Sequence, residues 1–167
     1  MTAEVEVIEK IEIIFAVEGH TRHFTTEIHP KTTVLEFAAV AAQAAQIEEI
    51  VEVFLEDNEH PLQGDLLLVQ SLSERFAPLH VARPGLIKTS VEYNGRRVER
   101  AFRPSVTIAR IIIWAIGKDA LNLDSGPADY QIKHNGQVLS SDLHLGQVAG
   151  DHKAIELALV FKMKPQG

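Results

Sequence analysis

Cysteine is absent from the 167 residues. That excludes disulfides, thiolate metal sites and a thiol nucleophile within this chain, and it fits a reducing, cytoplasmic compartment. A basic excess is absent too. Sixteen Lys and Arg stand against 23 Asp and Glu, a formal net charge of −7 with no basic stripe, which argues against nucleic acid as the main partner. No apolar run approaches the roughly 20 residues of a membrane-spanning helix, so no membrane partner is expected. The first ten residues, MTAEVEVIEK, form an acidic leader. They lack the basic and apolar regions of a secretory signal. There is no Gly-x-Ser-x-Gly elbow and no P-loop. The chain therefore does not read as an enzyme, and no cofactor is expected. His20, His23 and His29 fall near one hairpin, but a metal needs three or four convergent ligands held by ordered neighbours, and no metal site is expected there.

Apolar residues make up 46% of the chain, enough for one ordinary core or two small ones. Residues 11–18 are rich in Ile, Phe and Val and predict a strand. Gly19-His20 is a turn and residues 22–28 a returning strand. Thr33 is a natural N-cap with Glu36 three positions on, opening a helix that runs to about Gln46. Val34, Phe37, Ala38, Ala41 and Ala45 share its inward face. Residues 48–57 predict another strand, with Val51, Val53 and Leu55 inward and Phe54 outward among glutamates. Gly64 to Val69 reads as an apolar connection with room for one more short strand. Ser71 and Glu74 are placed to cap a single helical turn, and residues 78–83 form a last strand.

The order then repeats. Residues 87–93 and 96–103 flank Asn94-Gly95, a strong hairpin signal. Pro104 and Thr107 follow Pro30 and Thr33 at a common spacing of about 75 residues, the scale of a whole structural unit. A helix over residues 108–116 stops at Gly117, a natural C′ residue. Strands are predicted at 130–134, 137–139 and 154–161. In the last of these Ile155, Leu157, Leu159 and Phe161 alternate with Glu156, Ala158 and Val160. The domains expected are 11–83 and 87–162, joined by residues 84–86, with 1–10 as leader and 163–167 as a flexible tail. In the second helix Ile113 points almost directly away from the face formed by Ile108, Ile111, Ile112 and Ala115, and Trp114 sits at its flank. That places Ile113 and Trp114 either between domains or on a partner surface.

A unit of this size and order resembles the β-grasp of ubiquitin. Asp124-Ser125-Gly126-Pro127-Ala128-Asp129 resembles its post-helix loop, and Ile132-Lys133-His134-Asn135-Gly136-Gln137-Val138-Leu139 its third strand and turn. Lys162-Met163-Lys164 stands where ubiquitin has Arg-Leu-Arg. The resemblance implies an α+β chain of two tandem ubiquitin-like domains, similar to the two-domain modifiers of bacterial antiphage operons and, more distantly, to the interferon-induced tandem modifier of vertebrates. The terminal Gly-Gly of the family is replaced by Pro165-Gln166-Gly167, which suits the bacterial group better. The resemblance further implies conjugation through Gly167, with Lys162, Met163, Lys164, Pro165 and Gln166 recognised by an activating enzyme, a conjugating enzyme and a deconjugating peptidase, and target proteins joined by an amide bond. The other reading is a double β-grasp adaptor that docks partners without covalent attachment. Lys133 occupies the place of ubiquitin's exposed recognition isoleucine, so common ubiquitin receptors are not expected to bind.

Overall fold

A computed structural model describes residues 9–72 and 78–163. Two sheets form, each crossed by one helix. The first carries β1 (Ile11–Val17), β2 (Phe24–Ile28), β3 (Glu52–Leu55) and β4 (Leu79–Ala82), in the order β2-β1-β4-β3. The second carries β5 (Ile87–Tyr93), β6 (Arg96–Phe102), β7 (Tyr130–His134), β8 (Gln137–Val138) and β9 (Ala154–Phe161), in the order β6-β5-β9-β7-β8. In each sheet the first and last strands run parallel at the centre, while the remaining pairs are antiparallel. This is the expected pair of tandem β-grasp domains.

The helices form where capping and periodicity direct them. In α1 (Val34–Ala44) the Thr33 side chain accepts from the Glu36 amide, and the buried residues are Val34, Phe37, Ala38, Ala41 and Ala42. They close a core with Phe15, Val53, Leu79 and Val81. In α3 (Ile108–Ile116) Thr107 caps the Arg110 amide in the same way. A separate core gathers Ile108, Ile111, Ile112, Ile132, Leu157 and Leu159. Two short helices, α2 (Leu68–Ser71) and α4 (Leu145–Ala149), complete the domains. The repeat extends to hydrogen bonding. Val34 and Ile108 donate to the carbonyls of Leu66 and Leu143, which stitches each long helix to the segment before the short one.

Four local expectations are corrected. The strand predicted over 48–57 is only Glu52–Leu55, because its partner β4 is four residues long and Glu56 turns away with φ 53°. Phe54, expected outward, is wholly buried. Ser71 ends the short helix rather than capping it, and its hydroxyl donates back to the Leu67 carbonyl. That helix forms earlier because the Leu68 amide bonds the Thr32 carbonyl and its side chain is buried in the core. Glu74 lies outside the described residues. Gly117, expected as the C′ residue beyond the helix, is itself the C-cap of α3, with extended backbone at φ −66°. A Cβ at Gly117 would stand 3.1 Å from the Trp114 carbonyl oxygen.

Candidate functional site

A β-grasp sheet has two faces. The helix covers one; the other is free to meet partners. In the first domain that outer face is already taken. Ala16, Phe54, His80 and Ala82 lie on it, opposite the α1 side, and are almost completely buried. The covering groups come from the second domain. His80 stacks on His144, which precedes α4, at 4.6 Å between ring centroids. A Cβ built on Gly146 would lie 2.7 Å from both His80 Nε2 and Pro104 Cβ, so the loop and helix press tightly on the sheet.

Polar contacts ring this apolar seam. The Gly19 amide donates to the Gly146 carbonyl at 3.0 Å, and Gln147 Nε2 donates to the His20 carbonyl at 3.0 Å. Ser105 Oγ donates to the Asn58 carbonyl at 2.6 Å, and the Arg103 amide to Glu59 Oε1 at 3.3 Å. Arg103 pairs with Glu52 and Arg110 with Asp57. Contacts at both ends of the face resist rocking of one domain on the other. Burial holds the His80 imidazole well below the usual histidine range, helped by the neighbouring His144 ring. His144 is lowered as well, first by burial, partly countered by its bond to the Ser105 carbonyl and by Asp57.

The outer face of the second sheet is open and charged. Lys88, Glu99, Arg97 and Glu156 form a chain of ion pairs across β5, β6 and β9. Lys133 is half-buried on β7. Among the described residues the two domains thus offer one open sheet face between them, and it is polar.

The anticipated partner residues divide. Trp114 packs edge-on against Phe102 at 5.3 Å and belongs to its own domain's periphery. Ile113 is 56% exposed and lines a shallow groove with Arg100, Arg110 and Glu59 of the first domain. Lys162 donates its amide to the Asp129 carbonyl at 2.7 Å, which anchors the end of β9 beside the Tyr130–Phe161 ring pair. Met163 is 91% exposed. Lys164, Pro165, Gln166 and Gly167 lie outside the described residues. No group of three or more His, Asp or Glu side chains among the described residues could hold a metal ion. None of the described helices is long and apolar enough to cross a membrane.

Sequence reasoning missed the interdomain seam. Its signal was present in Leu79-His80-Val81-Ala82, where every residue is buried. A strand with apolar or uncharged side chains on both faces is covered on both.

Residues 88–162 match the family model described as BilA ubiquitin-like domain 2. The match covers the second β-grasp domain from β5 to just beyond β9 and leaves the first domain outside. Among solved structures, Caldiarchaeum subterraneum ubiquitin is 13% identical at a TM-score of 0.39, over 49% of this chain and 100% of that one. The N-terminal ubiquitin-like domain of the 4931431F19Rik protein gives the same 13% and 0.39, over 49% of this chain and 80% of that one. No curated protein matches.

Proposed function

We propose that this chain is a ubiquitin-like protein modifier, activated at Gly167 and joined to target proteins in bacterial antiviral defence. The observation that carries the reading is the match of residues 88–162 to the BilA ubiquitin-like domain 2, on a chain built as a tandem of two β-grasp units. The exposure of Met163 directly after β9 is in keeping with it. The chain itself supplies no catalytic group. An activating enzyme joins the Gly167 carboxylate to AMP, releasing pyrophosphate from ATP. An enzyme cysteine displaces AMP to form a thioester. A target amine then displaces the thiol, leaving an amide. Glycine suits this role because no Cβ obstructs the attacked carbonyl. Pro165 biases Lys164 toward extended backbone. Lys162 and Lys164 supply positive charge for acidic enzyme surfaces, and a deconjugating peptidase would reverse the bond. The absence of cysteine means that no internal thiol competes for the thioester.

The test is co-expression with candidate activating and conjugating enzymes, followed by trypsin digestion and mass spectrometry. Trypsin cuts after Lys162 and poorly before Pro165, so the expected remnant on an acceptor lysine is Met-Lys-Pro-Gln-Gly. Active enzymes with neither that remnant nor a thioester would replace the modifier by the non-covalent adaptor.

A further inference from the structure

We propose that the groove beside α1 in the first domain takes the basic segment that follows β9, residues 162–165, of a second copy of this chain. The inference is independent of conjugation, since it concerns the chain alone.

The first support is the groove. Leu35, Ala38, Ala39 and Ala42 on α1, with Ile47 and Ile50 on the connection to β3, line a space of about 580 Å³. Gln46, left-handed at φ 58°, turns that connection back along the helix. Ile50 is 80% exposed and Leu35 66%, the two most exposed Ile, Leu or Val side chains among the described residues. An apolar surface left this open is a place for a partner.

The second support is charge. Glu48 and Glu49 stand on the rim, and no Lys or Arg lines the groove. Glu49 pairs with Arg83 at 3.1 Å. Glu48 makes no ion pair among the described residues. α1 has no basic residue in its last turn, so its carbonyl end also favours a cation. The first domain as a whole leans the same way. Residues 11–83 hold twelve Asp and Glu against four Lys and Arg, while residues 87–162 hold eight against ten. The groove therefore selects a segment that carries apolar side chains between positive ones.

This chain contains such a segment. Lys162-Met163-Lys164-Pro165 alternates basic and apolar residues. When extended, Met163 and Pro165 share one face, with Lys162 and Lys164 on the other. Pro165 biases Lys164 toward that conformation. Met163 is 91% exposed, and an unbranched thioether side chain adapts to irregular apolar gaps. Within one copy the two surfaces lie apart. Arg83 ties the groove's rim to the start of the interdomain linker. Ala154 opens β9 beside Lys88, just past that linker, and the strand then runs about 23 Å to Phe161. Met163 is thus carried away from the groove of its own copy. Groove and segment are different surfaces, so the contact runs head to tail.

The test is sedimentation velocity on the full chain beside Met163→Asp and Ile50→Asp chains. A contact this small is weak, so concentrations run from about 10 to about 1,000 μM. Wild type should associate with rising concentration, and each variant should weaken association at least tenfold. Both side chains are exposed, so melting should not change. Mixing the two variants reads the geometry. Met163→Asp keeps its groove and Ile50→Asp keeps its segment, so the mixture should form a one-to-one pair that neither forms alone and that grows no further. Glu48→Lys should weaken association, and Lys164→Glu in the same chain should restore it in part. A wild type that stays monomeric, or variants that associate as it does, overturns the proposal. So does a mixture no more associated than its parts.

Discussion

The imidazole of His80 lies stacked on that of His144, ring centroids 4.6 Å apart and planes within 23°, inside the seam between the two domains. Among the described residues neither ring nitrogen of His80 has a hydrogen-bond partner, and the residue has no exposed surface. Both rings are held neutral by burial. The unfolded chain therefore binds more protons than the folded one below the ordinary histidine value of about 6.5. Stability from the seam is fully present above that value and is lost as pH falls below it. Each histidine contributes a slope of up to about 1.4 kcal/mol per pH unit. Thermal melting from pH 7.5 to 5.0 should show the decline. His80→Leu, which cannot be protonated, should flatten it.

Gly146→Ala should loosen the seam. The added methyl would stand 2.7 Å from a proline ring carbon, which cannot swing aside. The expected cost is about 1–3 kcal/mol of overpacking. Limited proteolysis and melting should show earlier separation of the domains, while the second core, built around Ile111 and Leu157, keeps its own protection.

Trp114 and Ile113 should behave oppositely. Trp114→Ala removes the edge contact to Phe102 and should destabilise the second domain by about 3 kcal/mol. Ile113→Asp changes a largely exposed side chain and should stay within about 0.5 kcal/mol of wild type in denaturant unfolding. A large loss of stability from Ile113→Asp would mean that the groove is closed in solution.

Gly167→Ala should leave melting unchanged and slow formation of the adenylate or thioester with an activating enzyme, because a Cβ then stands beside the reacting carbonyl. Pyrophosphate release assays measure the first step directly. Equal rates for the two chains would remove Gly167 from the reactive position.

Local chemistry carried much of the architecture. The caps at Thr33 and Thr107, the Asn94-Gly95 turn and the alternation of Ile155, Leu157 and Leu159 each depend on neighbours within a few positions, so spacing alone reveals them. Their recurrence about 75 residues apart reveals the tandem. The resemblance to ubiquitin supplied the order in which the strands join. Tertiary structure decided what local pattern could not. Phe54 sits among glutamates at an outward position, yet it is buried because the second domain packs on that face, its Ser105 bonding Asn58 from 47 residues along the chain. Ser71 lost its capping role to a helix placed by the burial of Leu68. The pairing of His80 with His144 had no local signature, since neither residue's neighbours specify the other. Alternation tells a strand which face is apolar. Only the packing of one domain on another determines whether its second face meets water.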